Sequence, residues 1–325
     1  MSWLSFRRSK VGDPVANEHL VGIDENGLGA LLGPMVVTAV YAEVDERGKR
    51  FLARRLPQRL RQDLDDSKRL VSHSDTALGE AWARVFARDA NTPDELFRKL
   101  CLEDQATLEG PCPKHASAQC WNPTTDSFSA DDDLLVRVQR HVHGLEQRGV
   151  RLLGAHCSIL CTKVLNQQRK NGGNRFVSDL HAMERLLLHI RPGLPTDLTA
   201  TCGKVGGITD YSKFFGPLSG WLHAVVEVSR ARSTYRFPSL GEVSFVRDAD
   251  ATAPLVMLAS LVGKYVRELL MGKIAAYYAA GEHGPSGYHD PVTRRFILDT
   301  SSLRRRRKIP KSCFERDGLK PSVDA

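Results

Sequence analysis

The chain has no apolar run approaching the roughly 18 residues that a membrane span requires, so a transmembrane protein is not expected. A secretory leader is not expected either. Residues 1–17 carry Arg7, Arg8 and Lys10 but no hydrophobic stretch, and read as an N-terminal extension. Cysteine is sparse: seven among 325 residues, an odd count without the dense spacing of a secreted disulfide framework. A reducing, cytoplasmic setting is the expectation. No internal repeat stands out, which sets solenoids and propellers aside. Acidic residues are outnumbered, and the net charge of +8 permits a polyanionic partner without singling one out.

Apolar residues make up 42% of the chain and charged residues 26%, enough for a full globular core. Residues 19–24 (HLVGID) read as a buried strand, and residues 35–41 (MVVTAVY) as a β-branched partner. The short Gly/Pro loop between them predicts an antiparallel hairpin. Further strands are expected at 150–153, 195–202 and 242–247. Helical spacing covers 76–90, 134–147, 179–190 and, longest, 252–280. Strands alternating with helices predict one α/β domain over residues 18–300, with a mixed sheet flanked by helices. Residues 109–130, rich in Pro, Ser, Thr, Asn and Cys, read as an inserted loop within an insertion of about 100–133. A basic C-terminal tail is expected at 301–325, with Arg304 to Arg307 and Lys308 at its start.

Asp24 and Glu25 end the first strand and run into Asn26-Gly27-Leu28-Gly29. Neighbours on a regular strand point to opposite faces, so both carboxylates reach one site only where strand gives way to loop. Gly27 and Gly29 supply that break and let a ligand approach the backbone amides. A solvated strand end before a turn accounts for the pair equally well. Asp250, between the 242–247 strand and the long helix, suits either a metal site or a favourable helix-dipole position.

Four separated blocks resemble the type 2 ribonuclease H (ribonuclease HII) family, in the archaeal and eukaryotic style. They are VGIDENGLGALLGPMVV at 21–37, DSKRL at 66–70, ADATAPLVMLASLVGKYVRE at 249–268 and SGYHDPVTRRFI at 286–297. The resemblance implies a ribonuclease H-like fold with an inserted loop and a C-terminal helical extension, and two-metal hydrolysis, by Mg²⁺ or Mn²⁺, of the RNA strand in RNA/DNA hybrids. Duplex DNA containing single ribonucleotides is the other substrate it implies. By the same resemblance Asp24, Glu25 and Asp250 are catalytic metal ligands. Gly27, Leu28, Gly29 and Tyr288 then face the ribose, while Lys68, Lys264 and Arg267 contact phosphate.

The pattern also departs from the family. The third carboxylate normally ends a strand reading like PDLVLVDG, and residues 195–203 (PTDLTATCG) place Cys202 at that point. A thiol is a poor Mg²⁺ ligand. Leu28 stands where an arginine is usual, and Ala249 where a glycine is. These departures imply an alternative, a catalytically impaired nucleic-acid-binding relative. Asp179 and Asp210 are conceivable substitutes, with Asp179 read as starting a helix and pointing elsewhere. Cys101, Cys112, His115 and Cys120 are of the types that bind structural Zn²⁺, though not at finger spacing.

Overall fold

The computed structural model describes residues 17–121, 127–280 and 284–318. Seven strands form one mixed sheet: β1 (Glu18–Asn26), β2 (Met35–Val44), β3 (Val150–Leu160), β4 (Leu198–Gly203), β5 (Ala224–Val228), β6 (Arg232–Phe237) and β7 (Gly241–Val246). Their order is β3-β2-β1-β4-β7-β6-β5. The central trio β1, β4 and β7 is parallel, and every outer pairing is antiparallel. The expected hairpin is present, with Asp24 opposite Thr38.

Alternation along β2 explains why both faces of the sheet are covered. Val36, Val40, Ala42 and Val44 enter one core, while Met35, Val37 and Ala39 enter the other. The first core lies under helices α1 (Ala77–Phe86) and α2 (Asp132–Glu146). The second is closed by Leu180, Met183 and Leu187 of helix α3 (Arg175–Ile190). Helix α4 (Pro254–Tyr277) crosses β1 on the first face so closely that a Cβ on Gly22 would lie 2.3 Å from the Leu255 carbonyl carbon. Any larger residue there would push the helix off the strand. The chain thus builds the expected α/β mixed sheet flanked by helices. Among the described residues no helix is long and apolar enough to cross a membrane.

Several elements differ from the sequence reading. β5 and β6 were not expected; β5 is an exposed edge strand, and its AVVEV sequence shows no buried side. The basic C-terminal segment is packed on the domain as a helical extension. Short helices run over Ser301–Arg306 and Lys311–Phe314, and Phe314 packs against Phe296 and Tyr278. Arg304 lies over the Phe314 ring and pairs with Glu315, and Arg307 lies over Tyr277. The four residues read as zinc ligands serve other contacts, with Cys120 buried in the first core and Cys112 packed against it. Cys101 forms a backbone β-bridge with Cys157 and faces Glu103, and the His115 ring bonds the Lys308 carbonyl. Residues 122–126 of the insertion lie outside the described residues.

Candidate active site

β1 runs to Asn26, beyond Asp24 and Glu25, whereas its neighbour β4 stops at Gly203. Ile23 pairs with Cys202, so the next step sets Gly203 beside Asp24 and leaves Glu25 past the end of β4. This is how adjacent carboxylates on one strand share a site. Asp250 reaches them from a single turn, Ala249–Thr252, between β7 and α4. That turn opens at Asp248 in the left-handed conformation and closes where Pro254 starts α4.

Asp24, Glu25 and Asp250 line a cavity of about 390 Å³ together with the glycine loop, Ser67, Lys68, Ser260, Lys264, Arg267 and Tyr288. Lys68 Nζ donates to Asp250 Oδ2 at 2.8 Å, and this bond holds the ammonium above its ordinary range. Burial pushes the Asp24 carboxyl well above the usual carboxylate range, and the charge of Glu25 pushes it further; Ser260 opposes. Glu25 is raised likewise, first by burial and then by Asp179. Excess negative charge in a low dielectric is what these shifts record.

Of the cations expected at phosphate, Lys264 and Arg267 are engaged inside the wall. Lys264 Nζ donates to the Ser67 and Val71 carbonyls. Arg267, 1% exposed, donates to Glu268 (3.3 Å), the Ser286 carbonyl (3.0 Å) and the Leu32 carbonyl (3.4 Å). Its guanidinium lies 4.6 Å from the centre of the Tyr288 ring, which stands at the surface. Lys68 alone of the three extends into solvent. Gly27 adopts φ +88°, and a Cβ there would meet Arg267 Nε at 2.4 Å, so the loop tolerates only glycine at this point.

The position facing the carboxylates is Gly203, not Cys202. A Cβ on Gly203 would lie 3.0 Å from Asp24 Oδ1 and 3.5 Å from Glu25 Oε2. Cys202 is fully buried in the core under α3, where burial and then Asp179 push its thiol up. Period-2 alternation makes the one-residue difference decisive.

Asp179 also differs from expectation. Helix α3 starts at Asn174, whose side chain caps it by accepting from Val177 N, so Asp179 lies in the second turn rather than at the start. It is fully buried, and among the described residues neither carboxylate oxygen has a hydrogen-bond partner. Burial, then the charge of Asp24, raises it well above its ordinary value. Asp210 is committed elsewhere, accepting from Ser212 and the Tyr235 hydroxyl.

No protein-family model and no curated protein sequence matches the chain. Solved structures do. The chain is similar to ribonucleases H. A structure of the PCNA:RNase HII complex from Archaeoglobus fulgidus aligns at TM-score 0.45 and 16% identity, over 94% of this chain and 97% of the other. The ribonuclease H2 of Pyrococcus horikoshii aligns at 0.42 and 14%, over 91% and 92%. Bst-RNase HIII in complex with Mn²⁺ aligns at 0.44 and 11%, over 96% and 72%. These likenesses are low, and the functional reading rests on the site itself.

A second cavity of about 490 Å³ shares Asp24, Glu25, Lys68 and Asp250 with the first and continues past Gly203. Lys204, Arg230 and Arg247 line it, and sequence reasoning missed all three. They stand at strand ends, a signal visible only once β5 and β6 are placed. As ligands for a divalent cation, Asp24, Glu25 and Asp250 fit in kind, being hard oxygens. Among the described residues no group of three or more His, Cys, Asp or Glu is arranged to hold one ion. Lys68 engages Asp250 Oδ2, and Gly203 presents no side chain, so an ion meets Asp250 through its other oxygen or in place of Lys68.

Proposed function

We propose that the chain is a divalent-metal-dependent endoribonuclease that nicks the RNA strand of RNA/DNA hybrids, or a lone ribonucleotide within duplex DNA. The observation that supports this most is a meeting of unlike groups in one cavity. Three carboxylates lie beside a glycine loop, Lys68 and an exposed tyrosine. Carboxylates alone repel a phosphate, so a backbone reaches them only with cations and amide donors alongside.

Asp24, Glu25 and Asp250 would hold the ion, Mg²⁺ or Mn²⁺. When bound, it supplies an acidified water and offsets charge on the phosphate. The chain's own groups do the rest. Lys68 releases Asp250 and turns to phosphate. Arg230 and Arg247 receive the neighbouring phosphates without reading sequence, while Lys204 is held by the Ser229 carbonyl. Tyr288 and the amides at Leu28 and Gly29 meet the ribose, whose 2′-hydroxyl separates RNA from DNA.

Gly203 favours a second reading, binding of the same nucleic acid without turnover, because the floor of the site lacks a carboxylate there. A cleavage assay on a duplex carrying one ribonucleotide decides between them. The nuclease reading expects nicking in Mg²⁺ or Mn²⁺ that Asp24→Asn abolishes. A folded wild type that binds the duplex but cleaves in neither metal leaves the binding reading in its place.

A further inference from the structure

Residues 27–33 (GLGALLG) contain no charged side chain, and Gly27, Leu28 and Gly29 of this loop line the first cavity. The loop's carbonyls are held by guanidinium groups from three distant segments. Arg175, at the start of α3, donates to Leu28 O (3.2 Å) and Ala30 O (3.5 Å). Arg267, from α4, donates to Leu32 O. Arg316 does most. Its Nε and Nη2 donate to Gly33 O at 3.0 and 2.7 Å, its Nη1 donates to Gly27 O and Leu28 O, and its backbone N donates to Leu31 O.

Arg316 is 5% exposed and has no carboxylate partner among the described residues. Burial, together with the charges of Arg267 and Arg175, pushes its guanidinium well below the ordinary arginine range. A buried charge compensated only by backbone dipoles is costly, and such an arrangement persists where the surroundings enforce it. Here they do. Leu32 forms a β-bridge with Glu315, and the Asn166 amide donates to the Ser312 and Glu315 carbonyls. Meanwhile the N–H groups of Leu28 and Gly29 make no hydrogen bond among the described residues, although both residues line the cavity.

We propose that Arg316 is a positioning residue: it fixes the carbonyls of Gly27, Leu28 and Gly33 on the buried side of the loop and leaves the Leu28 and Gly29 amides to the ribose. The C-terminal segment thereby becomes the back wall of the substrate site and sets how well a ribonucleotide is told from a deoxyribonucleotide. That last clause rests on the nuclease reading; the holding of the loop does not.

Lysine keeps the charge of Arg316 but lacks the planar fork that reaches several carbonyls at once. The test uses the full chain with Arg316→Lys, compared with wild type by hydrogen exchange and by binding to a one-ribonucleotide duplex and its all-DNA counterpart. The hydrogen-bonded amides of Ala30, Leu31 and Leu32 should exchange about tenfold faster or more, with β6 and β7 unchanged. The ratio of the two affinities should fall about tenfold. Unchanged exchange in the loop, or equal acceleration throughout the chain, overturns the proposal. Where Arg316→Lys gives no cooperative melt, Arg316→Gln, which keeps two N–H donors without charge, carries the same comparison. A wild type that shows no preference for the ribonucleotide defeats the nuclease reading and the discrimination clause, while the exchange result still decides whether Arg316 holds the loop.

Discussion

On one side of the carboxylates, residues 27–33 have nearly every carbonyl bound by Arg175, Arg267, Arg316 or a neighbouring backbone group. On the other, the chain from Gly203 through Thr209 offers glycines, one lysine and open space, with Arg230 and Arg247 across the gap. The first wall is built to hold one shape. The second is basic and short of the carboxylate that would complete a metal site. On the proposed function, recognition of substrate and binding of the ion would be under separate constraint: the first needs a rigid loop, the second needs charge that the second wall does not supply.

The sharpest way to break the comparison is to remove the charge both walls share. Asp24→Asn should lower cleavage of the one-ribonucleotide duplex by about a hundredfold or more, since it deletes a ligand from an already sparse set. Single-turnover rates in Mn²⁺ measure it. Equal rates would mean that the chemistry lies elsewhere.

Gly203→Asp tests the deficient wall directly. Its Cβ fits with a shift of a few tenths of an ångström, but the new carboxylate crowds Asp24 and Glu25. The metal-free variant should therefore melt below wild type, and Mn²⁺ should raise its melting temperature more than it raises that of wild type. Cleavage should rise about tenfold. Cys202→Asp, aimed into the core, should only destabilise, because it buries a carboxylate among apolar side chains. Should Cys202→Asp rescue activity and Gly203→Asp not, the facing of β4 is reversed.

Arg230→Ala with Arg247→Ala asks whether the open wall receives phosphate. Binding should weaken about uniformly across sequences, and the slope of log affinity against log salt should fall by about one for each arginine lost. An unchanged slope would restrict nucleic acid to the glycine-loop side.

The first wall was partly legible in the sequence and the second hardly at all. VGIDEN and MVVTAVY are short, almost wholly buried runs, and the long helix repeats Leu255, Leu258, Leu261, Val262 and Tyr265 on its period, so β1, β2 and α4 could be read directly. Asp24, Glu25, Asp250 and Tyr288 are singled out by the resemblance of the four separated blocks to ribonuclease HII, not by those elements alone. Arg175 and Arg316 could not be read, because nothing local distinguishes an arginine that will meet a loop 147 or 283 residues away. β5 escaped because both its faces are exposed, so no alternation is left to see. Confusing Cys202 with Gly203 has a similar cause. The strand was found, but its facing is set by pairing with Ile23, which no local pattern encodes.

The smallest effect is on stability, and its sign separates the metal-free from the loaded site. Asp24 is raised well above its ordinary value, chiefly by burial and then by Glu25. Unfolded, it titrates near about 3.9. Between that value and its folded pKa the native state holds more protons than the unfolded one, so stability falls as pH rises through this window. The amide introduced by Asp24→Asn has no such proton to lose. Without metal, Asp24→Asn should therefore match wild type near pH 4 and grow relatively more stable as pH rises, levelling off once Asp24 ionises in the fold. A gap of about 2–4 °C in melting temperature corresponds to roughly 1 kcal/mol in a domain of this class. Saturating Mn²⁺ should reverse the order, because the ion favours the ionised carboxylate and binds only the wild-type set well. A gap constant with pH would show that Asp24 is not strained by its neighbours. Failure of Mn²⁺ to reverse the order would show that the carboxylates, though gathered, do not act together on an ion.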